Sequence, residues 1–223
     1  AATAAIIACC LSITTPPISL YCTLIVGLLG SKTGDFITAV DEKSIIVVKE
    51  LASEEGYQEM EKTAKQILNV LPAEKQEVSH IAYGTIVEEI KEVSRSYKEA
   101  RMAMDVGRIF FEEKNIIAYS SLGIGRLIYQ LPMSLCNMFI KEVFGEKIPD
   151  ILDDEEAMST INKFFENNLN ISETARQLYV HRNTLVYRLE RIEKAIGLDI
   201  RTFDDAMTFR IAVMVIAHMR DQM

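Results

Sequence analysis

Seven residues between positions 181 and 191 carry side chains suited to bonding an anion or a base edge: His181, Arg182, Asn183, Thr184, Tyr187, Arg188 and Arg191. All lie in the stretch LYVHRNTLVYRLERI, residues 178–192. A guanidinium bonds guanine through two parallel hydrogen bonds, and a side-chain amide does the same to adenine. Threonine and tyrosine hydroxyls reach phosphate oxygens, and a helix N-terminus favours an anion by itself. Other reactive groups are dispersed. Cys9, Cys10, Cys22 and Cys136 form no C-x-x-C pair and the three histidines are scattered, which disfavours a zinc site. The thiols read as reduced and buried.

Such side chains need a helix to aim them. At 100° per residue, Leu185, Leu189, Ile192 and Ile196 form one narrow stripe. Asn183, Tyr187 and Lys194 point the opposite way. Thr184, Arg188 and Arg191 flank one side, and Arg182 lies toward the other. Upstream, Asn170 precedes Glu173 by three residues, a capping-box spacing that starts a helix. Ala175 and Leu178 share that helix's inner face, and a residue as small as Ala175 lets two helices cross closely. The tripeptide YVH makes a tight connection, with Val180 filling the angle. Residues 170–197 therefore have the pattern of a helix-turn-helix, whose second helix enters the major groove. Between 172 and 201, six basic residues face four acidic ones, a local surplus of two. Spacing alone also fits a solvated bundle surface, with Tyr187 packing and His181 merely capping the helix.

The whole chain is acidic. Its 223 residues carry a net charge of −8, with 49% hydrophobic and 25% charged residues. That is globular composition, enough for one large domain or two small ones. The charge argues against coating nucleic acid or acidic membrane wholesale. A local basic face survives it, because charge acts over roughly 8–10 Å in physiological salt. The first charged residue is Lys32. The apolar lead before it is broken by Pro16–Pro17, and neither half reaches the ~20 residues of a membrane span. A secretory signal would want a basic start. The lead is expected to form two buried strands or a strand and a helix. The chain begins without Met and is read as a piece of something longer.

From Tyr21 to Tyr119 apolar runs alternate with helical patterns. YCTLIVGLL, DFITAV, SIIVVKEL, SHIAYGTIV and NIIAYS predict strands, the second and third joined as a hairpin. GYQEMEKTAKQILNVLP and IKEVSRSYKEARMAMDVGRIFF predict helices. After Ser120 every segment reads as helix. The fold class is α+β: an α/β sandwich over residues 1–122, with 1–20 unassigned, then an all-α domain over 123–223. The last helix, Asp205 to Met219, has no polar face over its middle. It is expected to be buried all round, either in the helical core, with part reaching a partner, or in a subunit interface.

The string formed by Thr174, Ala175, Leu178, His181, Arg182, Asn183, Thr184, Tyr187, Arg188, Leu189, Arg191, Ile192 and Gly197 resembles the C-terminal helix-turn-helix of the PucR/CdaR family of bacterial transcriptional regulators. Residues 79–123, with SYKEA at 96–100, are similar to the second half of that family's degenerate GGDEF-like domain, and residues 35–51 to its central hairpin. The resemblance implies sequence-specific binding of double-stranded DNA by a homodimer, and control of a catabolic operon in the cytoplasm. The seven residues named first would make the contacts, and the effector would be sensed by an upstream domain. No enzyme activity, cofactor, metal or membrane association is expected. Active cyclases of this fold carry a Gly-Gly-Asp/Glu-Glu-Phe turn, where this chain has VDEKS. Asp41 and Glu42 remain there, and acidic residues at a hairpin tip are usually solvated. The alternative is a module that senses a nucleotide or small molecule without catalysis.

Overall fold

The structure is a computed structural model describing residues 5–12, 18–29, 35–40, 44–51, 56–76, 79–111 and 113–222, with backbone alone over 5–12, 18–19 and 75. Asp41 and Glu42 lie outside the described residues. The chain divides into two compact units, Ala1–Tyr129 and Gln130–Met223.

The first unit runs β1 (Ala5–Ser12), α1 (Ile18–Leu29), β2 (Phe36–Ala39), β3 (Ser44–Leu51), α2 (Gly56–Val70), α3 (Ala73–Gln76), β4 (His80–Tyr83), α4 (Val93–Phe110), β5 (Ile116–Ala118) and α5 (Ile124–Tyr129). The sheet order is β2-β3-β1-β4-β5. Pairing is antiparallel except between β4 and β5. Strand alternation sends side chains to both faces. Ile81 and Tyr83 join Ile45, Val47 and Leu51 beneath Tyr21, Ile25, Met60 and Ile67 of α1 and α2. Ala82 and Ile117 pack with Ala103 and Val106 of α4. Helices therefore cover the sheet on both sides.

Two expectations change here. The run YCTLIVGLL is not a strand: it lies in α1. Tyr21 and Ile25, four residues apart, are buried, while Leu20, Leu24 and Val26 are exposed. One helical face docks on the core and the other does not. The unassigned lead supplies β1, which sits at the centre of the sheet. The unit also continues past residue 122 to Tyr129. There Tyr129 donates a hydrogen bond to Asp105 of α4 at 3.3 Å and packs beside the Val106–Leu122 cluster.

The SYKEA segment is a packing device. A Cβ on Gly84 would stand 2.0 Å from the Ser96 carbonyl oxygen, so glycine alone lets β4 run this close to α4. Ser96 and Ala100 are fully buried. Glu99 accepts from the Thr85 backbone N–H at 2.8 Å and from its hydroxyl, which holds the end of β4.

The second unit is helical: α6 (Met133–Phe144), α7 (Glu155–Glu166), α8 (Ile171–Gln177), α9 (Arg182–Ile196) and α10 (Phe203–Asp221). Its core joins Ile161 and Phe164 of α7, Ala175 of α8, the α9 leucine stripe and Phe209 of α10. The Phe209 ring meets Phe144 and Phe165 edge-on, each at 6.3 Å between centroids. As expected, α10 enters the core, through Ala206, Phe209, Ala212, Val215 and Ile216. It is not enclosed all round, because Phe203, Met207 and Arg210 are exposed. Among the described residues no helix is long and apolar enough to cross a membrane.

Candidate nucleic-acid interface

Helices α8 and α9 are built by local rules. Asn170 caps α8 by accepting from the Glu173 N–H at 3.1 Å. Thr174 is wholly buried and returns its hydroxyl to the Asn170 carbonyl at 2.8 Å. Ala175 is buried where α8 meets α9, as its size requires. The helix ends when the Val180 N–H reaches the Ala175 carbonyl at 3.0 Å and the Tyr179 N–H reaches Arg176 at 3.2 Å, the closure of a Schellman motif. That closure demands a left-handed residue, usually glycine. Tyr179 fills the position at φ 55°.

Helix α9 begins at Arg182. His181 caps it, its Nδ1 accepting from the Asn183 N–H at 3.2 Å. The cap fixes that nitrogen as unprotonated while the bond is made. The helix stops at Gly197, at φ 76°, whose N–H bonds the Glu193 carbonyl at 2.8 Å. Leu185, Leu189, Ile192 and Ile196 are all buried. Burying each such side chain stabilises the unit by about 1.5–3 kcal/mol. The stripe thus anchors the helix and dictates which side chains remain outside.

The seven residues singled out from the sequence do not share one environment. His181, Arg182, Asn183 and Thr184 are exposed at the start of α9, and Tyr187 is 67% exposed. None is enclosed in the core. Arg188 and Arg191 instead turn toward the N-terminus of α7. The Arg188 guanidinium meets Glu156 at 2.6 Å, and Arg191 donates to Asp154 Oδ2 at 2.8 Å. Arg188 and Arg191, expected on one flank with Arg182 toward the other, are thus already paired with carboxylates of the same unit. Carboxylates at 154 and 156 draw two of the three arginines to one flank, leaving Arg182 with Asn183 and Tyr187.

Other carboxylates of the motif are also engaged. Glu173 pairs with Arg176 at 2.5 Å and accepts from Gln177 at 2.8 Å. Hydrogen bonds from Arg176, and next from Gln177, hold its carboxyl at about 2, well below its ordinary 4.5. Arg201 clasps Asp199 at 2.6 Å and Glu193 at 2.5 Å, tying the end of α9 to the loop before α10. The Arg201 hydrogen bond lowers the Asp199 pKa, and the Asp199 bond raises that of Arg201.

Sequence reading passed over one surface residue. Tyr179 is 96% exposed, at the elbow between the two helices and three residues before Arg182. A large aromatic at the αL position of a turn is the signal that marks it. Among the described residues no group of three or more His, Cys, Asp or Glu side chains is arranged to hold a metal ion.

Comparison with known proteins gives the following. Residues 157–215 match the family model described as the PucR C-terminal helix-turn-helix domain, and residues 6–106 match that of the GGDEF-like domain. The purine catabolism regulatory protein of Bacillus subtilis is 27% identical over 135 residues, covering 60% of this chain and 25% of that protein. The DNA-binding transcriptional activator AdeR of the same organism is 26% identical over 181 residues, 79% of this chain and 43% of its own length. The carbohydrate diacid regulator of Escherichia coli is 30% identical over 124 residues, 55% of this chain and 32% of its own. The chain thus spans from a quarter to under half of these relatives.

Proposed function

The chain belongs to the PucR/CdaR family of bacterial transcriptional regulators, and from that premise we propose that it binds double-stranded DNA sequence-specifically and regulates a catabolic operon. One observation carries the reading. Helix α9 presents Arg182, Asn183, Thr184 and Tyr187 to solvent beside its capped N-terminus, while its opposite stripe is sealed in the core. The residues left outside are those that bond bases and phosphates. Arg182 and Asn183 are assigned to base edges, and His181, Thr184 and Tyr187 to the phosphate backbone. Arg188 and Arg191 reach phosphate only by exchanging their carboxylate partners for it.

One such unit touches few base pairs. Two copies presenting α9 about 34 Å apart would read a symmetric site, so the working form is a homodimer. The GGDEF-like unit serves in relay or dimerisation and not in cyclase chemistry, since the sequence VDEKS offers no glycine through which backbone could approach a nucleotide. The net charge of −8 suppresses indiscriminate association and leaves the α9 surface to act. The protein then works in the cytoplasm, with its effector sensed by a domain upstream.

Selection of bound duplexes from a random oligonucleotide pool tests this. The expected product is a motif of two symmetry-related half-sites about 10 base pairs apart. A pool without enriched sequence after repeated rounds contradicts the reading.

A further inference from the structure

Four carboxylates lie within residues 172–201: Glu173, Glu190, Glu193 and Asp199. Three are tied to arginines within the unit, Glu173 to Arg176 and both Glu193 and Asp199 to Arg201. Among the described residues Glu190 makes no hydrogen bond or salt bridge. Its charge is felt by Arg201, but that guanidinium is already bonded to the other two acids. Lys194 stands one turn on, where a helical ion pair would ordinarily form, yet no salt bridge joins the two.

The position of this carboxylate matters more than its freedom. At 100° per residue, Asn183, Tyr187, Glu190 and Lys194 fall within an arc of about 60°. That arc lies opposite the buried Leu185–Leu189–Ile192–Ile196 stripe, and all four of its side chains are exposed. Glu190 therefore lies on the surface proposed to enter the groove, at one edge of that arc and about 10 Å along the axis from Asn183. A free carboxylate there opposes every phosphate it approaches. It gains only where a base offers it a donor. Cytosine presents its N4 amine to the major groove, whereas adenine sets the N7 acceptor beside its N6 amine, which repels an anion.

We propose that Glu190 is a specificity-determining residue of this surface. Its carboxylate accepts a hydrogen bond from a cytosine N4 amine, and its charge penalises docking where no such amine is offered. The proposal rests on the DNA-binding reading above. It adds a second reading position to Asn183, about three base pairs further along the groove.

The test uses the whole chain and the duplex enriched by selection, with all four base pairs placed in turn at each position. Binding of wild type, Glu190→Gln and Glu190→Ala is measured by fluorescence polarisation. Glu190 is exposed, and matched thermal melts establish that both variants are folded. Wild type is expected to favour C·G at one position of each half-site by about five-fold or more. Glu190→Ala loses that preference and binds scrambled duplex several-fold more tightly. Glu190→Gln shifts the preference toward A·T, because an amide bonds adenine N6 and N7 together. Variants that keep the wild-type base preference, with unchanged affinity for scrambled DNA, overturn the role of Glu190 and leave the DNA-binding reading standing. Failure of the wild type to bind any duplex overturns both.

Discussion

Asp154 and Arg191 are joined by a carboxylate that serves two helices at once. Its Oδ1 accepts from the Glu156 and Ala157 N–H groups at 3.0 and 3.1 Å, capping α7. Its Oδ2 accepts from Arg191 of α9 at 2.8 Å. The carboxylate thereby ties the start of α7 to α9 across 37 positions of sequence.

These two roles separate by mutation. Asp154→Ala removes cap and ion pair together and is expected to cost about 0.5–2 kcal/mol. Arg191→Ala leaves the cap and removes only an ion pair whose arginine is 56% exposed, a change of about 0–1 kcal/mol. Urea denaturation of both variants measures the order. Equal losses would mean that the ion pair, not the cap, holds the junction.

Tyr179 offers a gain of stability. At φ 55° it occupies left-handed backbone that costs a side chain about 1–2 kcal/mol and costs glycine little. With 96% of its surface in water, the ring repays little of this within the unit. Tyr179→Gly is expected to stabilise the helical unit by about 1 kcal/mol net of glycine's greater entropy loss. Tyr179→Ala is expected to gain much less. A lower melting temperature for the glycine variant would show that the ring holds the elbow together.

Acid acts on the same motif. The Glu173 carboxyl is held at about 2 by Arg176 and Gln177, against 4.5 ordinarily. A carboxylate lowered on folding stabilises the native state fully above its unfolded pKa, and that contribution fades as pH falls through the folded one. Stability contributed by Glu173 is therefore complete near neutrality and is lost between about 4.5 and about 2. Asp199, lowered by Arg201, adds in the same direction. Urea midpoints measured from pH 6 down to pH 2 are expected to fall through this window, less steeply in Glu173→Gln. Identical profiles for variant and wild type would exclude the Glu173 contribution.

What could be read in advance followed from local physics. The α9 stripe, the Asn170 cap and the small residue at 175 each follow from spacing within one or two helical turns, and the structure has them. The α1 segment reads as a strand because a short apolar run with β-branched residues satisfies a buried strand as well as a half-buried helix. The outcome turned on tertiary packing, with Tyr21 and Ile25 facing the sheet. The pairing of Arg188 with Glu156 was equally out of reach. It depends on how α7 lies against α9, 32 residues later in sequence. An arginine's helical face says where it points, not which carboxylate meets it there.

Arg182 and Asn183 are the residues proposed to meet base edges. Arg182→Ala and Asn183→Ala are each expected to lose about 1–3 kcal/mol of discrimination between the selected duplex and one altered at the contacted pair. Both side chains are exposed, so melting temperatures are expected to stay near wild type. A loss equal on selected and scrambled duplex would reassign them to phosphate.

Whether the exposed face of α9 reads sequence is measured most directly by a salt series of fluorescence polarisation, run in parallel on the selected duplex and its scrambled counterpart. Both affinities are expected to weaken steeply with salt, through release of phosphate counterions. The selected duplex is expected to bind tighter by about 100-fold or more at every salt concentration. Equal affinity for the two duplexes across the series, or no binding to either at low salt, would contradict sequence reading by this face.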